Sequence, residues 1–327
     1  MGEYRSVLNY IIKRVLMAIP LMFAIIIMSF LLIHLVPGDP IHVFLGGFAA
    51  SPEYTAMMRE RMGLDKPVFV QLLVYIQNIL RGDLGTSYLY FMPVSTLILS
   101  RIGNTLILVA LSMIWSTFVG VLLGVLSARK PFSLTDNVIS LVSVLGYSVP
   151  YFWLGMMLIM FFSVRLDILP LGGLMTLGVE FDSWGYIVDR LRHLVLPSFA
   201  LGIFQFAVLT RLTRASLQEV LRQDFIMMAW SKGLRERTVL LKHGLRNAIL
   251  PVVTILGLRL GTAFGGAILT ETVFSYPGVG RLMYDALVQR DFPIIMGILI
   301  MISFTVIMAN LVVDILYIFI DPRVKHK

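Results

Sequence analysis

The sequence predicts an all-α, polytopic membrane protein with six transmembrane helices. Three observations carry this prediction. First, of 327 residues 58% are hydrophobic and only 14% charged, against about 25% charged in soluble domains, and the mean hydropathy is +0.87. Second, six apolar segments reach the roughly 20 residues that a span needs. They are 15–36, 103–128, 136–164, 194–212, 250–273 and 294–320. Third, Lys and Arg gather in alternate connections. They lie before the first span (Arg5, Lys13, Arg14), after the second (Arg129, Lys130), between the fourth and fifth, and after the sixth (Arg323, Lys325, Lys327). The other connections hold fewer basic residues, balanced by Asp167, Glu180, Asp182, Asp189, Asp285 and Asp291. Basic loops stay in the cytoplasm, so both termini are expected inside, which requires an even number of spans. The net charge of +8 has the same origin and implies no nucleic acid. Without cysteine there is neither a disulfide framework nor thiolate chemistry. No G-x-x-x-x-G-K-[ST] run is present, so any use of ATP falls to a partner.

The elements follow in order. The first span is longer than the apolar core of a signal peptide, and no small-residue cleavage site follows it, so it reads as a retained helix. The outer loop 37–97 opens on Pro37-Gly38-Asp39-Pro40, a β-turn sequence. It continues with "SPEYTAMMRERMG", where Ser51 suits an N-cap, Pro52 the first helical position and Gly63 a helix stop. The apolar stretch 67–80 is too short to cross and carries Gln71, Gln77 and Asn78, so it is expected at the surface or packed on other spans. Two roles stand for this loop: a lid or docking face on the outer side, or a packing collar around the first span.

Between the fourth and fifth spans the chain leaves the membrane, over about 212–249. Leu217, Val220, Leu221 and Met228 recur near helical spacing, predicting one helix over 216–231. Gly233 breaks it, and a second helix runs on to about Leu250. Pro251 then enters the fifth span, where its missing N–H is harmless. Anionic lipid would hold such a basic loop with about 1 kcal/mol per basic residue. That accounts for the charge but not for apolar positions at the turn, which suit insertion into a protein groove.

Within the spans, Gly257, Gly261 and Gly265 recur every four residues, a spacing that lets helix backbones approach closely. Arg259 lies about 14 Å along the helix from Leu250 and roughly 200° around from the glycines, at 1.5 Å and 100° per residue. A charge near mid-membrane costs at least about 2.5–3.5 kcal/mol, so Arg259 is expected to face a wet cavity or an acidic partner. Asp314 lies nearer the inner surface. Histidines 34, 42, 193, 243 and 326 form no ligand pair. No Ser–His–Asp or paired-carboxylate set occurs in the spans, which disfavours a membrane enzyme. Neither inverted repeats nor cross-helix charge pairs support a stand-alone channel or secondary transporter.

The segment "DFIMMAWSKGLRERTVLLKHGLRNAILPVV" resembles the Gly-centred signature of permease subunits of ABC importers, in the dipeptide, oligopeptide and nickel class. The general signature has Glu-Ala-Ala, three residues, Gly, and a later Ile-x-Leu-Pro. Here Met227-Met228-Ala229 precedes Gly233, and Ile249-Leu250-Pro251 follows at a longer spacing, as in the peptide branch. "LVPGDP" (35–40), "GNTLIL" (103–108), "TRLTRASLQEVLRQDF" (210–225), "ETVFSYPGVGRL" (271–282) and "DPRVK" (321–325) extend the resemblance over most of the chain. It implies a type I ABC importer permease fold. The cytoplasmic N-terminus and first span would occupy 1–36 and the outer loop 37–97. The transporter core would run over 98–318, with the coupling segment at 212–249 and a tail at 319–327. It further implies that the segment holding Ala229, Lys232, Gly233, Leu234, Arg235 and Glu236 couples to an ATPase, and in such a permease the cavity expected at Arg259 from its depth would be the path. The implied partners are a second homologous permease, two cytoplasmic ATPases that bind ATP and Mg, an extracytoplasmic solute-binding protein, and membrane lipid. No cofactor is implied in this chain. Short peptides are the implied cargo, with nickel chelates, glutathione and oligosaccharides carried by other branches.

Overall fold

The computed structural model describes residues 2–35, 41, 51–61, 63–178 and 184–320. Among them the regular structure is helical, with one isolated β-bridge between Thr86 and Pro93. The helices are α1 (Gly2–Leu35), α2 (Pro52–Arg61), α3 (Val68–Leu80), α4 (Val94–Arg129), α5 (Leu134–Ser148) and α6 (Tyr151–Leu158). Next come α7 (Trp184–Leu221), α8 (Asp224–Ser231), α9 (Glu236–Ala248), α10 (Leu250–Val273), α11 (Val279–Gln289) and α12 (Phe292–Ile320). The turn expected at 37–40, His42, Glu180, Asp182 and the tail from 321 lie outside the described residues, and Asp314 outside the described side chains.

The chain forms two compact units, 1–103 with 278–327, and 104–277. In the first, the expected caps of α2 are in place. Ser51 Oγ accepts from Tyr54 N at 3.2 Å, and Gly63, at φ +66°, ends the helix with its N–H on Glu60 O at 3.0 Å. Helix α3 packs along α1, where His34 Nε2 meets Gln71 Oε1 at 3.2 Å. Asp291 caps α12 and ties the end of the outer loop to it. Its carboxylate accepts from Ser87 Oγ at 2.6 Å, Leu89 N at 3.0 Å and Ile294 N at 3.4 Å.

The second unit is built on α4 and α7. Gly120 and Gly124 let the two backbones approach. A Cβ at Gly124 would lie 2.5 Å from Thr213 Cβ and 2.8 Å from Thr210 O. Further along, the Trp115 ring fills the space over Gly202 and donates from Nε1 to Ser198 O at 2.9 Å. This G-x-x-x-G contact lies on α4. Leu108, Leu194, Leu196, Ala200, Phe274 and Tyr276 form one buried cluster of this unit.

Three expectations about length need correction. The segment 136–164 is not one straight span, because α5 and α6 meet at 102°. Proline has no N–H to donate and drives its predecessor out of the α region. Val149 accordingly sits at φ −80°, ψ 125°, and Pro150 at φ −59°, ψ 123°. Beyond α6 the chain continues as a π-helix over Ile159–Arg165. The fourth segment is longer than 194–212, since α7 runs through Pro197 and extends beyond both ends of the apolar run, from Trp184 to Leu221. The helix expected over 216–231 is two helices, with Gln223 extended at φ −81°, ψ 151° between them. Three described helices are long and apolar enough to cross a membrane: α4, α7 and Phe292–Leu311 of α12. Counting each of the bent pairs Leu134–Ser148 with Tyr151–Arg165 and Glu236–Ala248 with Leu250–Arg259 as one span would bring the number to five by length and composition, and Leu16–Leu32 of α1 is a shorter apolar stretch.

Candidate functional site

The polar segment between α7 and α10 is a short helix, a tight reversal and a second helix. Its shape follows from a few residues. Ile226 and Ala229, three apart on α8, face inward and are buried with Val125, Ala128, Leu217, Val220, Val239 and Ala248. Ala229 is 6% exposed, so a larger or charged side chain has no room there. The opposite face of α8 presents Met227 and Met228, which are 57% and 59% exposed, and its flanks present Phe225 and Trp230, which are 40% and 46% exposed. A helix in water normally turns polar residues outward, so an outward apolar face of this size marks a contact surface.

Gly233 makes the reversal. It adopts φ +71°, a region that L side chains resist. Its N–H donates to Trp230 O at 2.9 Å, and Leu234 N donates to Ala229 O at 3.4 Å. These two bonds form a Schellman motif, which satisfies carbonyls left over at the end of α8. Lys232, Gly233, Leu234 and Arg235 are exposed at the tip, with Arg237 just beyond. Glu236 behaves differently. Arg129, the last residue of α4, clamps its carboxylate through Nε at 2.6 Å and Nη2 at 2.7 Å. Glu236 therefore fixes the start of α9 to α4.

A second ion pair holds the same end of the unit. Asp136, on the first turn of α5, is buried and accepts from Arg214 Nε at 2.7 Å and Nη2 at 2.8 Å. Ser127 Oγ of α4 and Phe132 N, at 2.8 Å, complete its shell. A buried carboxylate with this many donors joins α4, α5 and α7 into one body beside the reversal. Sequence reasoning missed this pair and the Arg129 clamp. One acid in an otherwise apolar stretch was the available signal, because such a charge needs a partner.

Arg259 lies in a different part of the unit. Its guanidinium stands over the Phe204 ring of α7, 4.9 Å from the centroid. It lines two cavities, of about 320 Å³ and about 640 Å³. Of the three glycines on its helix, Gly257 is buried. At Gly265 a Cβ would meet nothing within 4 Å among the described residues, whereas the next residue, Gly266, faces Leu201 at 3.0 Å. The surroundings of Gly261 are not among those described.

Comparison with known proteins identifies this arrangement. Residues 120–326 match the family model of the binding-protein-dependent transport system inner membrane component, and residues 7–109 match that family's N-terminal model. The chain is 42% identical to the oligopeptide transport system permease protein AppB of Bacillus subtilis, over 97% of this chain and 99% of that protein. It is 40% identical to the dipeptide transport system permease protein DppB of Escherichia coli K12, over 98% and 99%. It is also 42% identical to the glutathione transport system permease protein GsiC of Escherichia coli O6:H1, over 98% and 100%. The chain, whose described regular elements are helices and which carries apolar spans, is a multi-pass membrane protein and a transport component, not an enzyme, and it belongs to the family of binding-protein-dependent transport system inner membrane components.

Proposed function

We propose that the chain forms part of the path by which an ATP-driven importer carries short peptides across the cytoplasmic membrane. The cargo is delivered on the outer side by a solute-binding protein. Two cytoplasmic ATPases bind ATP and Mg and act on the reversal between α8 and α9. A second homologous permease completes the path, and both termini lie in the cytoplasm. In this reading the core spans 98–318, and 212–249 is the coupling segment. Ala229 seats α8, Gly233 sets the turn, and Leu234 with Lys232 and Arg235 meets the ATPase, while Glu236 holds the lever to α4. Gly265, beside open space, faces a helix of the paired permease, and Gly257 and Gly261 continue its four-residue spacing along α10.

The observation that carries this reading is the apolar outer face of α8, mounted on a rigid base. Met227 and Met228 point away from the buried cluster that anchors the same helix, with Phe225 and Trp230 half-exposed on its flanks, and the Arg129–Glu236 clamp ties the tip to α4. The names of the relatives support peptides as the cargo class, and glutathione, itself a tripeptide, falls in the same class. The test is co-purification with the cognate ATPases. Trp230→Glu is expected to abolish it while the chain remains in the membrane. Undiminished co-purification would leave the segment a basic interfacial loop.

A further inference from the structure

The smaller of the two cavities gathers polar groups that the coupling machinery does not use. It lies among α4, α6, α7 and α10 and has a volume of about 320 Å³, at the small end of cavities that enclose small ligands. Met113, Tyr151 and Phe204 give it apolar walls, and Ser112, Ser116 and Gln205 bring polar atoms to it. The packing of α4 on α7 fixes their levels. Trp115 fills the space over Gly202, and a Cβ at Gly120 would lie 3.1 Å from Phe206 O and from Leu209 Cβ. Ser116 falls between these two contacts, so it stands level with the turn of α7 that carries Gln205. Ser112 lies one turn earlier on the same face of α4. Arg259 also lines the space, but it has interactions of its own and is not needed as a donor here.

Gln205 is the independent sign of a ligand. It is only 8% exposed, and its side-chain nitrogen is buried with no partner. Buried side-chain polar atoms are nearly always hydrogen-bonded, and an unpaired donor carries the full loss of its water. The last torsion of Gln is broad, so the amide can turn its nitrogen to an acceptor arriving in the cavity. The two serines are buried and offer the opposite polarity. Each hydroxyl uses its hydrogen on its own helix, Ser112 Oγ donating to Val109 O at 2.8 Å and Ser116 Oγ to Met113 O at 3.2 Å. A hydroxyl oxygen that donates still has lone pairs to accept with. Among the described residues the cavity thus presents an amide donor and two hydroxyl acceptors, and no carboxylate.

We infer that this cavity binds a peptide group of the cargo, whose carbonyl accepts from Gln205 Nε2 and whose N–H donates to the Oγ of Ser112 or Ser116. This rests on the peptide reading above. A trans peptide group carries one donor and one acceptor on opposite edges, the complement of a space with an amide donor on α7 and hydroxyl acceptors on α4. Pairing both edges lets the group leave water without an unsatisfied end and satisfies Gln205 as well. The side chains that flank the group meet Met113, Tyr151 and Phe204. A peptide group is common to all short peptides, so recognising it sets the class of cargo without reading its sequence. A transport site must also release what it binds, a condition met by neighbouring weak sites. Ser112 and Ser116, about 6 Å apart along α4 at 1.5 Å per residue, supply two such acceptors in succession.

The experiment uses the full-length chain in lipid nanodiscs, titrated with three probes and followed by saturation-transfer NMR. The probes are alanyl-phenylalanine, its ester analogue with oxygen in place of the peptide N–H, and its thioamide analogue with sulfur in place of the carbonyl oxygen. The dipeptide is expected to half-saturate the chain at a concentration about two- to tenfold below either analogue, the usual worth of one hydrogen bond. Gln205→Leu is expected to weaken binding of the dipeptide and to erase its advantage over the thioamide. Ser112→Ala combined with Ser116→Ala is expected to erase its advantage over the ester. No saturable binding of the dipeptide, or equal half-saturation by the three probes, overturns the inference. So does an advantage over the thioamide that survives Gln205→Leu, or one over the ester that survives loss of both serines. Thermal unfolding of the empty chain separates binding from packing. An unpaired donor does not support the fold, so Gln205→Leu is expected to leave the midpoint unchanged or raised, and a lowered midpoint assigns Gln205 to structure and overturns the inference. A parallel arm measures ATP-dependent uptake of the dipeptide by the assembled transporter in liposomes. Uptake without discrimination among the probes in binding sinks the peptide-group site and leaves the importer reading standing. Discrimination without uptake does the reverse.

Discussion

Replacing Gly233 with Val perturbs one backbone conformation and little else. The residue sits at φ +71°, and a Cβ built there meets nothing within 4 Å. Steric collision with neighbours is therefore not the issue. The cost is the left-handed conformation itself, roughly 1–2 kcal/mol for an ordinary L residue and higher for a β-branched one. That corresponds to a factor of about 5–30 in the population of the native turn. The base of the lever is spared, because Ile226 and Ala229 remain buried in their cluster. The chain should still insert, with its spans intact and its tip misdirected. Asn provides the control, since it enters the left-handed region far more readily than Val. The assay is co-purification of the ATPases together with uptake per ATP hydrolysed in liposomes. The expected order is wild type, then Asn, then Ala, then Val. Equal coupling in Gly233→Val and Gly233→Asn would refute the argument that the turn geometry transmits force.

Other perturbations test other parts of the account. Asp136→Asn breaks the buried pair with Arg214, whose side chain is 27% exposed, and should cost about 3 kcal/mol, the low end for such a loss. Thermal unfolding in detergent should show a lower midpoint, and an unchanged midpoint contradicts the bracing role. Gly124→Val forces a side chain into a gap where Thr213 Cβ would lie 2.5 Å away, and should destabilise by about 1–3 kcal/mol. Gly265→Val, where space is open within the chain, should leave unfolding of the isolated subunit unchanged. In the cysteine-free chain, Ser51→Cys should react with an impermeant thiol reagent from outside and Ser231→Cys only from inside. The opposite pattern overturns the orientation.

The apolar segments were legible in the sequence because membrane spans are long and uniform. Ser51, Gly63, Gly233 and Pro251 were legible because caps and helix entries demand particular residue types. The bend at Pro150 carried a visible signal that the run of apolar residues around it concealed. The break at Gln223 carried none. No Gly or Pro marks it, and the direction of α8 is set by Ile226 and Ala229 packing on Val125, Leu217 and Val239. The tight helix contact at Gly120 and Gly124 was written as plainly as the stripe on α10. Pattern alone does not name the neighbour of either stripe. The Arg129–Glu236 and Asp136–Arg214 pairs, and the ring beneath Arg259, join residues far apart in sequence, so residue type announced a need for partners but not their identity.

The most direct test of the central claim is uptake of a radiolabelled dipeptide into liposomes that contain this chain, its paired permease, two ATPases and the binding protein. The account predicts accumulation against a gradient that requires ATP and the binding protein. It also predicts that Ala229→Glu, which places a charge in the buried anchor of α8, abolishes accumulation while the chain remains in the membrane. Accumulation by this chain without ATP, or undiminished uptake by Ala229→Glu, would contradict it.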